Sequence, residues 1–446
     1  MSDRTQRETV ESRLIQCFPT DVLTPLDETG IPAIDARKNG TFGRSFLSFT
    51  LYNNGHNASS RSRLCPRGLL YNDGEILFGV GVFFRPWDPA TPIISIVAPH
   101  GDKLSERIDE FTARVTGELH NSCFYVRHLS LEQTRELVKL DLNLLTEVDR
   151  PSTSGRSWKT IDYRPWEPLA PQEDETYEHA VIDLVDFISH PIEGMFRNAP
   201  HCGRETRDRA RKNYRSFERF LLHNDLEFSL ETYEPEIEYE VADDVALTSD
   251  RDAINRWRGE SLARNLIGQH FRRLRQLGKA IGSTATDYEG ILTTSRALAG
   301  PELYLFLGFL AKRNQPATRR PLGFFAFEGI GLINGKRAVG NYAGVCNYDR
   351  TWIEPLLRGA PSGENLRGFD AVSNFANGQV FYHLKRLGIE CVDVGGSETE
   401  DLDRGKRQLG AQRRAMNWLV LECNDRWRAL LNDCSGEETR RQGLYS

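Results

Sequence analysis

The stretch from Gly368 to Gly410 constrains this chain more than any other, because it reads as helix, tight turn, short strand and a glycine- and charge-rich exit in immediate succession. Val372, Ala376, Val380, Leu384 and Leu387 recur at helical spacing, and Gly388 follows where a left-handed C-cap turns the chain back. Residues 389 to 394 then alternate apolar and polar, as a half-buried strand does, and run into Gly395, Gly396, Ser397 and Glu398. A helix delivering its chain to a strand in this way points to an open α/β sheet, which binds ligands beyond the carboxyl ends of its strands. Arg404, Lys406 and Arg407 fall just past that edge. Lys406 is the leading catalytic candidate.

The runs Leu387-Gly388-Ile389, Asp393-Val394-Gly395-Gly396-Ser397-Glu398 and Lys406-Arg407-Gln408-Leu409-Gly410 together resemble the end of the GNAT-fold domain in Fem-type aminoacyl transferases and related lipid-aminoacylating domains. Those proteins share a helix, a strand ending D-x-G-G and an F-K-x-x-F-G-like exit. This chain departs at Gly405 and Leu409, where that family carries aromatics, so local packing and acceptor are expected to differ. The resemblance implies a mixed-sheet α/β fold with two GNAT-like domains in tandem, and transfer of an acyl or aminoacyl group.

Length fits that reading: at 446 residues the chain exceeds the roughly 250–300 at which a single core stops growing. Its composition of 39% hydrophobic and 27% charged residues is that of a globular protein, and no run approaches the ~20 apolar residues of a membrane span. Residues 1 to 16 lack the apolar core of a secretory signal, so a cytoplasmic location is expected. The eight cysteines stand singly, with no CxxC or CxxH pair, and neither zinc nor a disulfide framework is signalled. A net charge of −6 excludes a surface that binds nucleic acid throughout, while leaving room for local basic stripes.

Along the chain, residues 46–51, 77–84 and 93–97 read as strands, residues 104–115 as an amphipathic helix and residues 124–126 as a strand after it. Residues 1–40 are taken as an extension, 41–150 as a non-catalytic GNAT-like domain and 151–175, with Pro165, Pro168 and Pro171, as a linker. The catalytic domain is expected over 176–433, with 434–446 a tail. Residues 179–188 are expected to be helical, ending before Pro191. Residues 204–224 form a basic amphipathic helix with seven Lys/Arg against three Asp/Glu, and a second basic stretch spans 256–279. Arg211 and Lys212 in the first, and Arg272 and Arg273 in the second, are candidates to line one phosphate-binding groove. Residues 302–312 and 321–333 read as buried strands joined by a polar loop over 313–321, and Asn334-Gly335 as a hairpin turn into 338–345.

Acyl transfer passes through an oxyanion, for which Lys406 and the amides of Gly395 and Gly396 are suitable donors. It also asks for a base, with Asp393, Glu398 and Asp349 as candidates. The glycine-bearing loop over 359–368, with Gly363 and Arg367, precedes a helix and suits donor phosphates. Ser397, Arg404, Arg407, Asn341 and Tyr342 complete the expected binding set. The ordinary acetyl-coenzyme A signature, Q/R-x-x-G-x-G/A, is absent from the loop, which favours an aminoacylated donor. No tightly bound cofactor is expected; aminoacyl-tRNA or an acyl-coenzyme A is the co-substrate, with tRNA or another nucleic acid meeting the basic helices. Two rival readings stay open: an acyl-coenzyme A N-acyltransferase, and a nucleic-acid-binding or nucleic-acid-modifying protein with a GNAT-like domain. No G-x-S-x-G, Walker A or HExxH motif is present.

Overall fold

A computed structural model describes residues 3–25, 68–85, 88–101, 103–129, 150–151, 157–162, 179–184, 204–242, 256–276, 302–358, 363–395, 404–407, 409–414 and 417–421. The chain forms two compact units, Met1–His179 with Gly396–Glu400 and Arg413–Ser446, and Ala180–Gly395 with Asp401–Gln412. The expected strand over 46–51 lies outside the described residues.

Unit 1 holds α1 (Asp3–Gln16), β1 (Leu23–Pro25), β2 (Leu69–Asn72), β3 (Ile76–Arg85), β4 (Asp88–Gly101), α2 (Leu104–Glu118), β5 (Cys123–Leu129), β6 (Arg150–Pro151), β7 (Ser157–Asp162) and β17 (Asn417–Leu421). Its sheet runs β1-β2-β3-β4-β5-β17-β7-β6. The first four strands are antiparallel neighbours, and the α2 crossover makes β5 parallel to β4. The spacing of Ile108, Phe111 and Val115 puts all three on one buried stripe of α2. Phe111 stacks on Phe18 at 5.2 Å and meets Phe78 edge-on at 5.1 Å, so one aromatic core joins α1, the meander and α2.

Unit 2 holds β8 (His179–Asp183), α3 (Arg204–Asn224), β9 (Leu226–Thr232), β10 (Glu238–Glu240), β11 (Arg256–Arg258), α4 (Gly259–Gln276), β12 (Leu303–Lys312), β13 (Gln315–Ile333), β14 (Lys336–Cys346), α5 (Val372–Arg386), β15 (Cys391–Asp393) and β16 (Gln412–Arg414). Its main sheet runs β16-β8-β15-β14-β13-β12-β9. Here too an antiparallel meander is followed by a helix, α5, that delivers a parallel strand, β15, beside β14. The repeat of meander, crossover helix and parallel strand makes the chain a mixed α/β protein of two similarly built units. The α5 helix ends as its sequence requires: Gly388 at φ +83 reverses the chain, and its N–H donates to the Lys385 carbonyl at 2.9 Å.

Four expectations need correction. Residues 179–183 are a strand, because Ala180, Ile182 and Leu184 are buried alternately with half-buried neighbours and the segment pairs with β15. The segment taken as a linker contains β7, and β17 belongs to unit 1 although it lies inside the span assigned to the catalytic domain. The polar segment 313–321 is mostly strand, with Asn314 at φ +58 in the turn and β13 starting at Gln315. Pro321 is tolerated there because that end of β13 pairs with β12 alone; the register with β14 begins only at Gly323. Finally, the two basic helices do not line one groove. Phe381 and His383 of α5 pack on Phe327 and Phe306, and Phe217 of α3 packs on Phe375 of α5. Tyr239, beside the first turn of α4, stacks on Phe309, whose side chain points to the other face of the sheet from Phe306.

Candidate functional site

The site begins where the sheet of unit 2 stops being continuous. Strands β14 and β15 pair in parallel only from Ala338 opposite Cys391 to Gly340 opposite Asp393. β14 continues to Cys346 while β15 ends, so among the described residues the β14 edge from 341 to 346 has no strand beside it on that side. Tyr342 is the extra residue of a bulge at this point, since Ala326 faces Ala343 but Phe327 faces Asn341. A bulge adds local twist and re-aims the side chains around it, and here it falls at the mouth of the opening.

The side chains lining the opening are polar in an otherwise apolar sheet. Asn341 Oδ1 is buried and has no hydrogen-bond partner among the described residues. Across from it on α5, Asn377 donates to the Ser373 carbonyl at 2.9 Å, and its Oδ1 lies 3.1 Å from where a Cβ on Gly344 would sit, so Gly344 keeps this approach open. Tyr342 OH donates to Glu328 Oε2 at 2.7 Å, and Glu328 is 0% exposed on β13. Nothing in the local pattern flagged Glu328; its one signal is a carboxylate inside the apolar run from Leu322 to Ile333. Burial pushes the thiols of Cys346 and Cys391 up to about 12, so both stay protonated and are not nucleophiles at neutral pH.

At the end of β15, Asp393 is 0% exposed and its Oδ1 accepts the Gly395 N–H at 2.8 Å. This carboxylate fixes the turn out of the strand. Lys406 lies on a helical turn over 404–407, half-buried, with Nζ donating to the Gly395 carbonyl at 3.2 Å. The structure thus brings Asp393, Gly395 and Lys406 together. Arg404 is exposed and Arg407 half-buried on the same turn. Gly396, Ser397 and Glu398 lie outside the described residues.

The loop before α5 is held against α3. Gly368 adopts φ +97, and a Cβ there would overlap the Ser216 carbonyl oxygen, so only glycine fits. Asn224 Nδ2 donates to the Asn365 carbonyl at 2.9 Å, and Asn365 Nδ2 to the Arg358 carbonyl at 2.9 Å. Gly363 and Arg367 are exposed on this loop, and Lys212, Arg215 and Arg219 are exposed on α3. Arg211 is half-buried on α3, while Arg272, exposed, and Arg273, half-buried, belong to α4 on the opposite face. Asp349 is the N-cap of the short helix Arg350–Ile353, with Oδ1 accepting the Thr351 N–H at 2.9 Å, so its carboxylate serves the helix start rather than the opening.

No metal-binding group of three or more His, Cys, Asp or Glu occurs among the described residues, and no described helix is long and apolar enough to cross a membrane. No protein-family model matches the sequence, and no curated protein matches it. Solved structures do resemble it. A conserved protein of unknown function from Bacteroides thetaiotaomicron VPI-5482 superposes with a TM-score of 0.50 at 10% identity, covering 90% of this chain and 99% of that one. FemX superposes with a TM-score of 0.47 at 9% identity, over 89% of this chain and 96% of its own. A tandem GNAT protein from the clavulanic acid biosynthesis pathway gives 0.37 at 8% identity, over 90% and 98%. The likeness to the Bacteroides protein is one of fold, and the two lower scores carry no inference about activity.

Proposed function

We propose that unit 2 transfers an acyl or aminoacyl group from an activated ester or thioester donor to an amine or hydroxyl acceptor. The observation that carries this reading is the opening beside β14, where, among the described residues, the edge from 341 to 346 facing away from β13 has no strand neighbour and Asn341 Oδ1 lies buried without a donor. A buried acceptor left unmatched costs roughly 1–3 kcal/mol, a cost that an amide-bearing donor arm laid along β14 would relieve. The reacting carbonyl then lies toward the end of β15, where the Lys406 ammonium, already within 3.2 Å of the Gly395 carbonyl, opposes oxyanion charge. Arg367 on the loop before α5, and Lys212, Arg215 and Arg219 exposed on the helix that loop packs against, suit the phosphates of the donor's distal part, as in an aminoacyl-tRNA.

The test is to incubate the full chain with acetyl- and palmitoyl-coenzyme A and with lysyl- and alanyl-tRNA, each in the presence of a lysine-containing peptide and a hydroxyl acceptor. Mass spectrometry reads acylated acceptor, and loss of that product in Asn341→Ala supports the site. Salt-sensitive RNA binding without any product would instead favour a nucleic-acid-binding protein.

A further inference from the structure

We propose that Glu328 and Tyr342 together accept the proton of the attacking nucleophile, a role resting on the acyl-transfer reading above. Their placement is the argument. Tyr342 is the bulged residue of β14, two positions beyond Gly340, where the pairing with β15 ends, and it is 9% exposed. Its hydroxyl is hydrogen-bonded at 2.7 Å to a carboxylate that is 0% exposed. Alternation along β13 puts Glu328 on the same face as Phe324 and Ala326, away from the α5 side where Asn341 and Asn377 approach each other beside Gly344. Donor-side and acceptor-side groups are thereby separated by the sheet edge itself. Burying a carboxylate is costly unless hydrogen bonds compensate it, and Tyr342 supplies one of them.

In the step, the acceptor nitrogen forms a bond to the donor's acyl carbon, and the bond from that carbon to the leaving sulfur or oxygen breaks. The acceptor N–H proton passes to Tyr342 Oη as the phenolic proton passes to Glu328 Oε2. The pair then releases that proton to solvent and the leaving group takes one from solvent, so the step balances and no outside oxidant or reductant enters. Tyr342 is the catalytic residue, and Glu328 acts through it.

The experiment uses the full chain carrying Glu328→Gln or Tyr342→Phe, with two acceptors and the donors named above. One acceptor is a lysine-containing peptide; the other is hydroxylamine, an amine already unprotonated at neutral pH that needs little help from a base. The expected result is a melting temperature at or above wild type for Glu328→Gln, transfer to the peptide reduced about 100-fold or more in both variants, and transfer to hydroxylamine within about threefold of wild type. Equal losses toward both acceptors would make the pair structural and overturn the proposal, as would unimpaired transfer to the peptide. If the wild-type chain acylates neither acceptor, the acyl-transfer reading fails and this proposal with it, whereas wild-type activity with indifferent variants overturns only the pair.

Discussion

Removing the last thirty residues should unfold unit 1, although they lie far along the chain from the rest of it. A chain ended after Met416 loses β17, which stands between β5 and β7. β17 has four registered positions with β5 and five with β7. At about 0.5–1.5 kcal/mol net per hydrogen bond, and roughly one bond per registered position, the loss is about 5–13 kcal/mol. That is comparable to the whole stability of a typical domain, about 5–15 kcal/mol. It also exposes two former interior edges that are prone to pair with other chains. A chain ended after Asn424 keeps β17 and so separates its loss from that of the residues beyond it. Hydrogen exchange of the amides in β5 is the assay, with limited proteolysis as a second readout. The reasoning is refuted if the chain ending at Met416 keeps native protection across residues 123–129.

Other consequences are smaller and separately measurable. Gly368→Ala should destabilise unit 2 by about 2–4 kcal/mol, from left-handed strain plus collision with the Ser216 carbonyl, read as a lower urea midpoint with unchanged slope. Burial, and then the Arg386 charge, hold the His383 imidazole below its usual 6.5. Its contribution to stability is therefore complete above about pH 6.5 and lost as pH falls through the folded-state value, because the unfolded chain takes up the proton first. His383→Gln should flatten the fall in urea midpoint between pH 7.5 and 5.5, and an unchanged fall would assign it to other groups. Replacing Lys212, Arg215 and Arg219 together by Ala should weaken RNA binding and reduce its salt slope, whereas Arg272→Ala with Arg273→Ala, on the opposite face, should do neither.

What could be read from the sequence was local. The α5 helix, its glycine stop and the following strand were legible because periodicity and capping act within a few residues, and Asn334-Gly335 likewise announces its hairpin. The exchange of strands was not, since nothing near Asn417 says that it pairs with residue 129, nor anything near Ile182 that it pairs with Val392. The stretch around Pro321 suggested a loop because its place on β13, where only β12 pairs with it, is a property of the sheet. Within the candidate site, Lys406 and Asp393 were singled out from their place at or just beyond a strand end, and Asn341 and Tyr342 only as members of an expected binding set. Asp349 read as a base although its local Asx geometry makes it a cap, and Glu328 went unnoticed because only the fold buries it against Tyr342.

Hydrogen exchange with and without bound donor tests the central claim most directly. With an accepted acyl-coenzyme A or aminoacyl-tRNA, the amides of residues 341–346 should gain protection, and Asn341→Ala should abolish that gain while leaving the free chain folded. Acyl transfer accompanied by protection in β4 and β5 of unit 1, with residues 341–346 unchanged, would contradict the assignment of chemistry to unit 2.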